Sequence, residues 1–253
     1  MTLLNFKGQI LTPDGWVEGT IQFDKKINSI SESGRENSGL IVLPGFVDLH
    51  VPGGGGGDVM RGEDDLRLCA SLHASHGTTS FLATTITAPE KEIILAAKAI
   101  DAVSSNRHKN EARILGVHME GPYLNSEMLG AQPPFSQSPD LKFIEDLLKC
   151  ANVKLVTLAP ECDPGHILIK ELVSRGILVQ VGHSNASYEE IKSAIKDGVG
   201  GFTHLYNAMS PLHHREPGVV GAALAHGTAA ALIPDLIHVK EGAIHAALRS
   251  LPD

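Results

Sequence analysis

The chain has no run of 18 apolar residues, so its sequence predicts no membrane-spanning helix. Its opening, MTLLNFKGQILTPDGW, lacks the basic start and long apolar core of a secretory signal. Cysteine is scarce: Cys69, Cys150 and Cys162 are odd in number and far apart. That argues against a disulfide framework and for buried thiols in a reducing cytoplasm. Excess basic charge is missing too. A formal charge of −8 without a basic stripe argues against a nucleic-acid surface. There is no dinucleotide fingerprint, and the one glycine run is not a P-loop. Gly53 to Gly57 are followed by Asp58, where a phosphate cradle needs lysine and then Ser or Thr. These glycines are expected to form a mobile corner where backbone can approach a ligand closely.

What is present is an ordinary globular composition, 42% hydrophobic and 20% charged over 253 residues. That length suits one large domain, or one with a small appendage. Residues 1–43 read as short strands with turns at TPDG and SESGRENSG, an N-terminal β segment belonging to a small β-sandwich domain. From residue 44 to 253 apolar strands alternate with amphipathic helices, the signature of parallel β/α architecture. The expected strands are Ile41–Leu49, Thr78–Thr85, Ile114–Glu120, Val153–Leu158, Ile177–Gly182, Gly200–Thr203 and Ala229–Ile233. Ser138, Asp163 and Ser187 are the expected caps of three intervening helices, with Ser187 and Glu190 forming a capping box. Seven such strands suit a TIM-like (β/α) barrel in which eight would close the sheet, so the region is expected to be an incomplete barrel, cut off after its seventh unit. An open doubly wound sheet is the alternative.

In such barrels chemistry gathers at the C-terminal ends of the strands. His50, Glu120, His183 and His204 each stand where an apolar run stops. Imidazole nitrogens with one carboxylate, and a coordination position left for water, suit catalytic zinc or a similar divalent ion. His118 shares a strand face with Glu120, and a packing or positioning role beside the metal suits it better than ligation.

Seven motifs occur in order across residues 44–224: PGFVDLHVPGGGGGD, HGTTSFLATT, GVHMEGPYLN, GAQPP, LAPE, VGHSNASYEE and THLYNAMSPLHHREPGVVGAAL. Together they closely resemble the N-acetylglucosamine-6-phosphate deacetylases of the amidohydrolase superfamily. The resemblance implies a metal-dependent hydrolase barrel that cleaves an acetamide, releasing acetate and glucosamine 6-phosphate in amino-sugar catabolism. It implies Glu120, His183 and His204 as ligands of one divalent ion, zinc as the expected metal and iron(II) or another divalent ion as the alternative. The superfamily's binuclear members carry His-x-His after the first strand. Here the stretch is His50-Val51-Pro52, and proline offers no nitrogen, so a second ion held through His50 is the minor reading.

By the same resemblance Ala131, Gln132, Asn207, Ala208, Arg215, Asp235 and His238 contact the phosphosugar, with Arg215 on the phosphate, often across a homodimer. Histidine is common where Gln132 stands; an amide can still donate a hydrogen bond but cannot become cationic. Glycine is common where Leu236 stands, and leucine there disfavours positive φ, which is expected to displace His238. The family's acid/base aspartate sits at the end of an eighth strand, which this sequence does not reach. No residue is therefore assigned that role; Asp253 reads as a terminal loop residue. A non-catalytic remnant that binds metal or sugar phosphate is the competing expectation. A different amide hydrolase is a third, which Arg215 and Asn207 argue against.

Overall fold

The computed structural model describes residues 3–33 and 39–252. Much of the expected SESGRENSG turn, and Asp253, lie outside the described residues. Contacts divide the chain into two compact units, Met1–Phe46 and Val47–Asp253. In the first, β1 (Leu4–Thr12) and β2 (Gly15–Phe23) pair antiparallel around a two-residue turn at Pro13 and Asp14. Strand β3 (Ile27–Glu32) joins antiparallel to β2, and β4 (Ile41–Val42) joins parallel to β1. Ile10 and Ile21 are buried, while Leu4, Phe6, Trp16 and Ile27 remain exposed.

The strand expected at Ile41–Leu49 is two strands. Pro44, which has no N–H to give a ladder, separates β4 from β5 (Phe46–Val51). In the second unit β5 is followed by β6 (Gly53–Gly54) and β7 (Gly57–Asp58), which pair antiparallel. Gly55 and Gly56 take φ of 64° and 87°, a turn open to glycine and costly for most other residues. A Cβ on Gly57 would stand 2.5 Å from the Asp65 carbonyl oxygen. The glycine run is therefore a hairpin packed closely on the next helix, which replaces the expected mobile corner.

The rest of the unit alternates. Helix α1 (Glu63–Ser75) leads to β8 (Thr78–Thr85), α2 (Glu90–Ser105) to β9 (Arg113–Glu120), and α3 (Leu141–Cys150) to β10 (Val153–Leu158). Then α4 (Ile167–Ser174) precedes β11 (Leu178–Val181), and α5 (Tyr188–Lys196) precedes β12 (Gly201–Phe202). Helices α6 (Gly218–His226) and α7 (Glu241–Ser250) follow. The sheet order is β12-β11-β10-β9-β8-β5, a parallel sheet curled into a half-barrel with helices packed on it. Ile93, Ile100 and Val103 of α2, Ile144 and Leu147 of α3, and Leu168, Ile169 and Leu172 of α4 are buried in one core with Phe81, Val117 and Val156 of the sheet. Each such side chain contributes about 1.5–3 kcal/mol by leaving water.

Three further elements differ from the sequence expectation. Ala229–Ile233 forms no strand; it makes a single bridge, Ala230 to Phe202, with Phe202 N–H donating to Ala229 O at 3.1 Å. Its neighbour β12 has only two residues to pair with, and Pro234 ends the run, so among the described residues the expected seven strands are six. Asp140, not Ser138, caps α3, its carboxylate accepting from Lys142 N–H at 2.7 Å and Phe143 N–H at 3.3 Å. Asp163 does not directly precede α4. A left-handed turn at Gly165 and His166 intervenes, yet the buried Asp163 carboxylate still accepts from Leu168 and Ile169 N–H at 3.1 and 2.9 Å. The Ser187–Glu190 capping box of α5 is present as expected.

Candidate metal centre

Because the strands run parallel in register, their C-terminal ends share one edge of the sheet. Glu120, the last residue of β9, pairs across to Thr157 of β10. His50 lies near the end of β5, while His183 and His204 lie two residues beyond β11 and β12. His183 and His204 take φ of 51° and 38°, left-handed conformations that cost a non-glycine residue about 1–2 kcal/mol each. Backbone bonds around them hold these turns: Asn125 N–H donates to His183 O at 3.0 Å, and Asn207 N–H to His204 O at 2.9 Å.

The turns bring three donors together. Glu120 Oε1 is 3.2 Å from His183 Nε2 and 3.0 Å from His204 Nε2, and the two Nε2 atoms are 3.0 Å apart. All three residues are buried. His183 Nδ1 lies 2.9 Å from Met128 O, which can only accept, so this nitrogen carries the proton. His183 Nε2 then faces a carboxylate oxygen and a second imidazole nitrogen. Such groups repel at this distance unless a proton or cation lies among them. Two imidazoles and one carboxylate oxygen, with room for water, are also the donor set of a divalent transition-metal site. The residues present therefore fit the ion that the sequence implies.

The carboxylate's other oxygen is also held. Oε2 accepts from Gln132 Nε2 at 2.6 Å and lies 3.2 Å from His50 Nε2. Burial opposes a charge on Glu120, but the surrounding imidazoles outweigh it and hold its pKa well below the ordinary value. Burial likewise opposes a charge on His50; the Glu120 hydrogen bond and the charges of Glu120 and Asp48 prevail, and its pKa is raised. His50 N–H donates to Asp48 Oδ1 at 3.0 Å.

His118 is fully buried, with both ring nitrogens engaged: Nδ1 is 2.9 Å from Leu49 O, and Nε2 is 2.7 Å from Thr157 Oγ1. Burial first, and the neighbouring His50 second, push its pKa down to about 3. Its place is beneath the cluster.

The remaining expected site residues are spread more widely. Asn207 is half-buried just beyond His204, its Nδ2 donating to the His204 carbonyl at 3.3 Å. Ala208 (φ 51°) accepts from Ser184 N–H at 3.1 Å, and Ala131 is exposed beside Gln132. Asp235 and His238 pair with each other at 2.6 Å on an exposed turn, and this bond holds the Asp235 carboxyl down to about 2. Leu236 keeps a left-handed φ of 63° in spite of its side chain. Arg215 is exposed, and among the described residues no carboxylate pairs with its guanidinium. Arg215, Asp235 and His238 make no hydrogen bond to the Glu120 cluster among the described residues.

One contributor carried no assignment from the sequence beyond its motif. Glu161, in LAPE, accepts from Asn125 Nδ2 at 2.9 Å, Ser184 Oγ at 2.7 Å and Asn185 N–H at 2.6 Å. It thereby ties down Ser184 and Asn185, which follow His183, and Asn125, whose N–H bonds the His183 carbonyl. A carboxylate at the end of the fourth expected β strand was the available signal.

A groove of about 630 Å³ opens beside the cluster, lined by Val47, Leu49 and His50 on one side and by His204 and residues 229–234 on the other. Comparison with known proteins accords with this geometry. The amidohydrolase family model matches residues 41–244. An N-acetylglucosamine-6-phosphate deacetylase of Lysinibacillus sphaericus is 37% identical over 256 residues, covering 98% of this chain and 66% of its own. The chain thus spans slightly less than two thirds of that curated relative's length. The crystal structure of the Pasteurella multocida deacetylase matches with a TM-score of 0.86 at 30% identity, covering 99% of this chain and 69% of that one. A Mycobacterium smegmatis deacetylase mutant, solved in complex with N-acetyl-D-glucosamine-6-phosphate, matches with a TM-score of 0.85 at 29% identity, covering 98% of this chain and 67% of that one. With the family model matched over most of its length, the chain belongs to the amidohydrolase family, and these relatives within it are N-acetylglucosamine-6-phosphate deacetylases.

Proposed function

We propose that the chain carries the metal-binding half-barrel of an N-acetylglucosamine-6-phosphate deacetylase, which hydrolyses the acetamide to glucosamine 6-phosphate and acetate. The convergence of Glu120 Oε1 with Nε2 of His183 and His204 at the strand ends carries this reading. These three residues would hold one divalent ion, zinc by the family resemblance, with iron(II) an alternative that the same donors accept. When bound, such an ion polarises an amide carbonyl and lowers the pKa of water, which meets the two difficulties of amide hydrolysis at neutral pH.

The chain's own groups would bind and orient the substrate. Met128 O keeps the His183 proton on Nδ1, leaving Nε2 free as a donor of electrons. The Arg215 guanidinium, without a carboxylate partner among the described residues, suits the planar, bidentate recognition of phosphate oxygens. Asn207 and Ala208, which follow His204 in sequence, and Ala131, beside Gln132, would line the sugar. Asp235, ionised at neutral pH, and His238 would complete the polar contacts. A homodimer in the cytoplasm is the setting we propose.

Acetate release from N-acetylglucosamine 6-phosphate by the zinc-supplemented chain tests the function. Release that disappears in Glu120→Ala supports it. Soluble, zinc-loaded protein that releases no acetate sinks it.

A further inference from the structure

The loop from Asn125 to Pro134 touches two of the three converging residues. At one end Met128 O sets the His183 tautomer; at the other Gln132 reaches the Glu120 carboxylate. The orientation of the Gln132 amide follows from its second contact. Thr87 N–H lies 2.7 Å from Gln132 Oε1, and a backbone N–H can only donate. Oε1 therefore faces Thr87, and Nε2, a donor, faces Glu120 Oε2 at 2.6 Å. Both ends of the amide are used within the protein. His50 Nε2 adds a second contact to Oε2 at 3.2 Å, so this oxygen is occupied while Oε1 points at both imidazoles.

We infer that Gln132 is a positioning residue: it pins Glu120 Oε2 to the Thr87 backbone and leaves Oε1 as the single carboxylate oxygen presented to the metal site. The inference rests on Glu120, His183 and His204 being ligands. It differs from a substrate contact by Gln132, because it requires no sugar. A carboxylate freed from this clamp can rotate and offer both oxygens, raising the coordination number of the ion.

Two readouts test this on the full chain without turnover: zinc affinity by competition with a chromophoric chelator, and the visible d–d spectrum of the cobalt(II)-loaded protein, whose intensity falls as coordination number rises. Gln132→Met keeps the side-chain length and removes both hydrogen bonds. It should still bind one ion per chain, roughly 10–100-fold more weakly, as is common when a ligand loses its outer hydrogen bond, and with a weaker cobalt spectrum. Gln132→His retains an N–H for Oε2 and should restore the parental spectrum. Gln132→Leu likewise removes both hydrogen bonds; it should follow Gln132→Met, and serves in its place if that variant does not fold. A parental cobalt spectrum in the methionine or leucine variant overturns the clamp, whatever the affinity. A parent chain whose zinc uptake is unaffected by Glu120→Ala overturns the metal site itself, a distinct result that removes the clamp with it.

Discussion

Glu120 Oε1 stands 3.0 Å from Nε2 of His204, although the two residues are 84 positions apart in the chain. Three parallel strand pairings, β9 with β10, β10 with β11 and β11 with β12, set that distance. The left-handed turn at His204 then folds its ring back over the strand ends. Position in the sheet thus determines which side chains can share an ion, and sequence separation matters little.

The first prediction concerns stability on metal binding. A ligand that binds only the folded state stabilises it by about 2.7 kcal/mol at a hundredfold excess over its dissociation constant. Zinc should raise the melting temperature of the parent chain, and Glu120→Ala, His183→Ala and His204→Ala should each lose most of that rise. A single variant whose zinc response matches the parent would remove that residue from the ligand set.

How much of this was legible in the sequence differs from residue to residue. Glu120, His183 and His204 could be found because each ends an apolar strand in a recognisable motif. Their left-handed turns could not, since nothing in a histidine announces φ > 0. Ala229–Ile233 has the apolar content of a strand, but its pairing depends on β12, which offers only two residues. Gln132 was visible as a residue in a site motif, yet its bond to Glu120 depends on how the Asn125–Pro134 loop folds and on a backbone N–H at Thr87. The Met128 carbonyl that fixes the His183 tautomer belongs to the backbone and has no sequence signature.

Glu161→Gln should loosen the His183 turn. The carboxylate accepts three hydrogen bonds, two N–H donors at Oε1 and the Ser184 hydroxyl at Oε2; the amide either faces an N–H donor with its NH2 or forces the hydroxyl to stop donating there. Losing such charge-assisted bonds costs about 1.5–3 kcal/mol. A urea midpoint unchanged with an unchanged m value would show that the cluster does not support the fold.

Leu236 holds φ at 63° and is 55% exposed. Glycine would relieve about 1–2 kcal/mol of backbone strain and lose about 0.5–1 kcal/mol to the entropy of the unfolded chain. Leu236→Gly is therefore expected to be neutral or stabilising by up to about 1.5 kcal/mol. Destabilisation beyond about 1 kcal/mol in chemical denaturation would mean that the leucine side chain contributes packing worth more than the strain.

Asp197 links α5 to the start of α4 through His166 Nδ1 at 2.7 Å and Lys170 Nζ at 3.3 Å. The His166 hydrogen bond is the main reason its pKa lies below 3.8. A depressed carboxylate stabilises the fold above its unfolded value and loses that contribution as pH falls through the folded one. Asp197→Asn should therefore melt below the parent at pH 6, and the gap should close as pH drops under 3.8. A gap that stays constant over this range would assign the effect to shape instead of charge.

Arg215 offers the sharpest test of what the site holds. Its exposed guanidinium lacks a carboxylate partner among the described residues, in a chain of net charge −8 where a cation is otherwise easily neutralised. An unpaired cation on an acidic protein is well placed to receive an anion, because the surrounding negative charge would repel phosphate from most other approaches. Arg215→Ala should weaken N-acetylglucosamine 6-phosphate binding by at least about tenfold, the range of one charge-assisted bidentate contact. Unphosphorylated N-acetylglucosamine, bound in parallel by calorimetry, should change by less than about twofold, since it has no group for the guanidinium to grip. Equal weakening of both sugars would assign Arg215 to the shape of its loop and leave the phosphate to another cation.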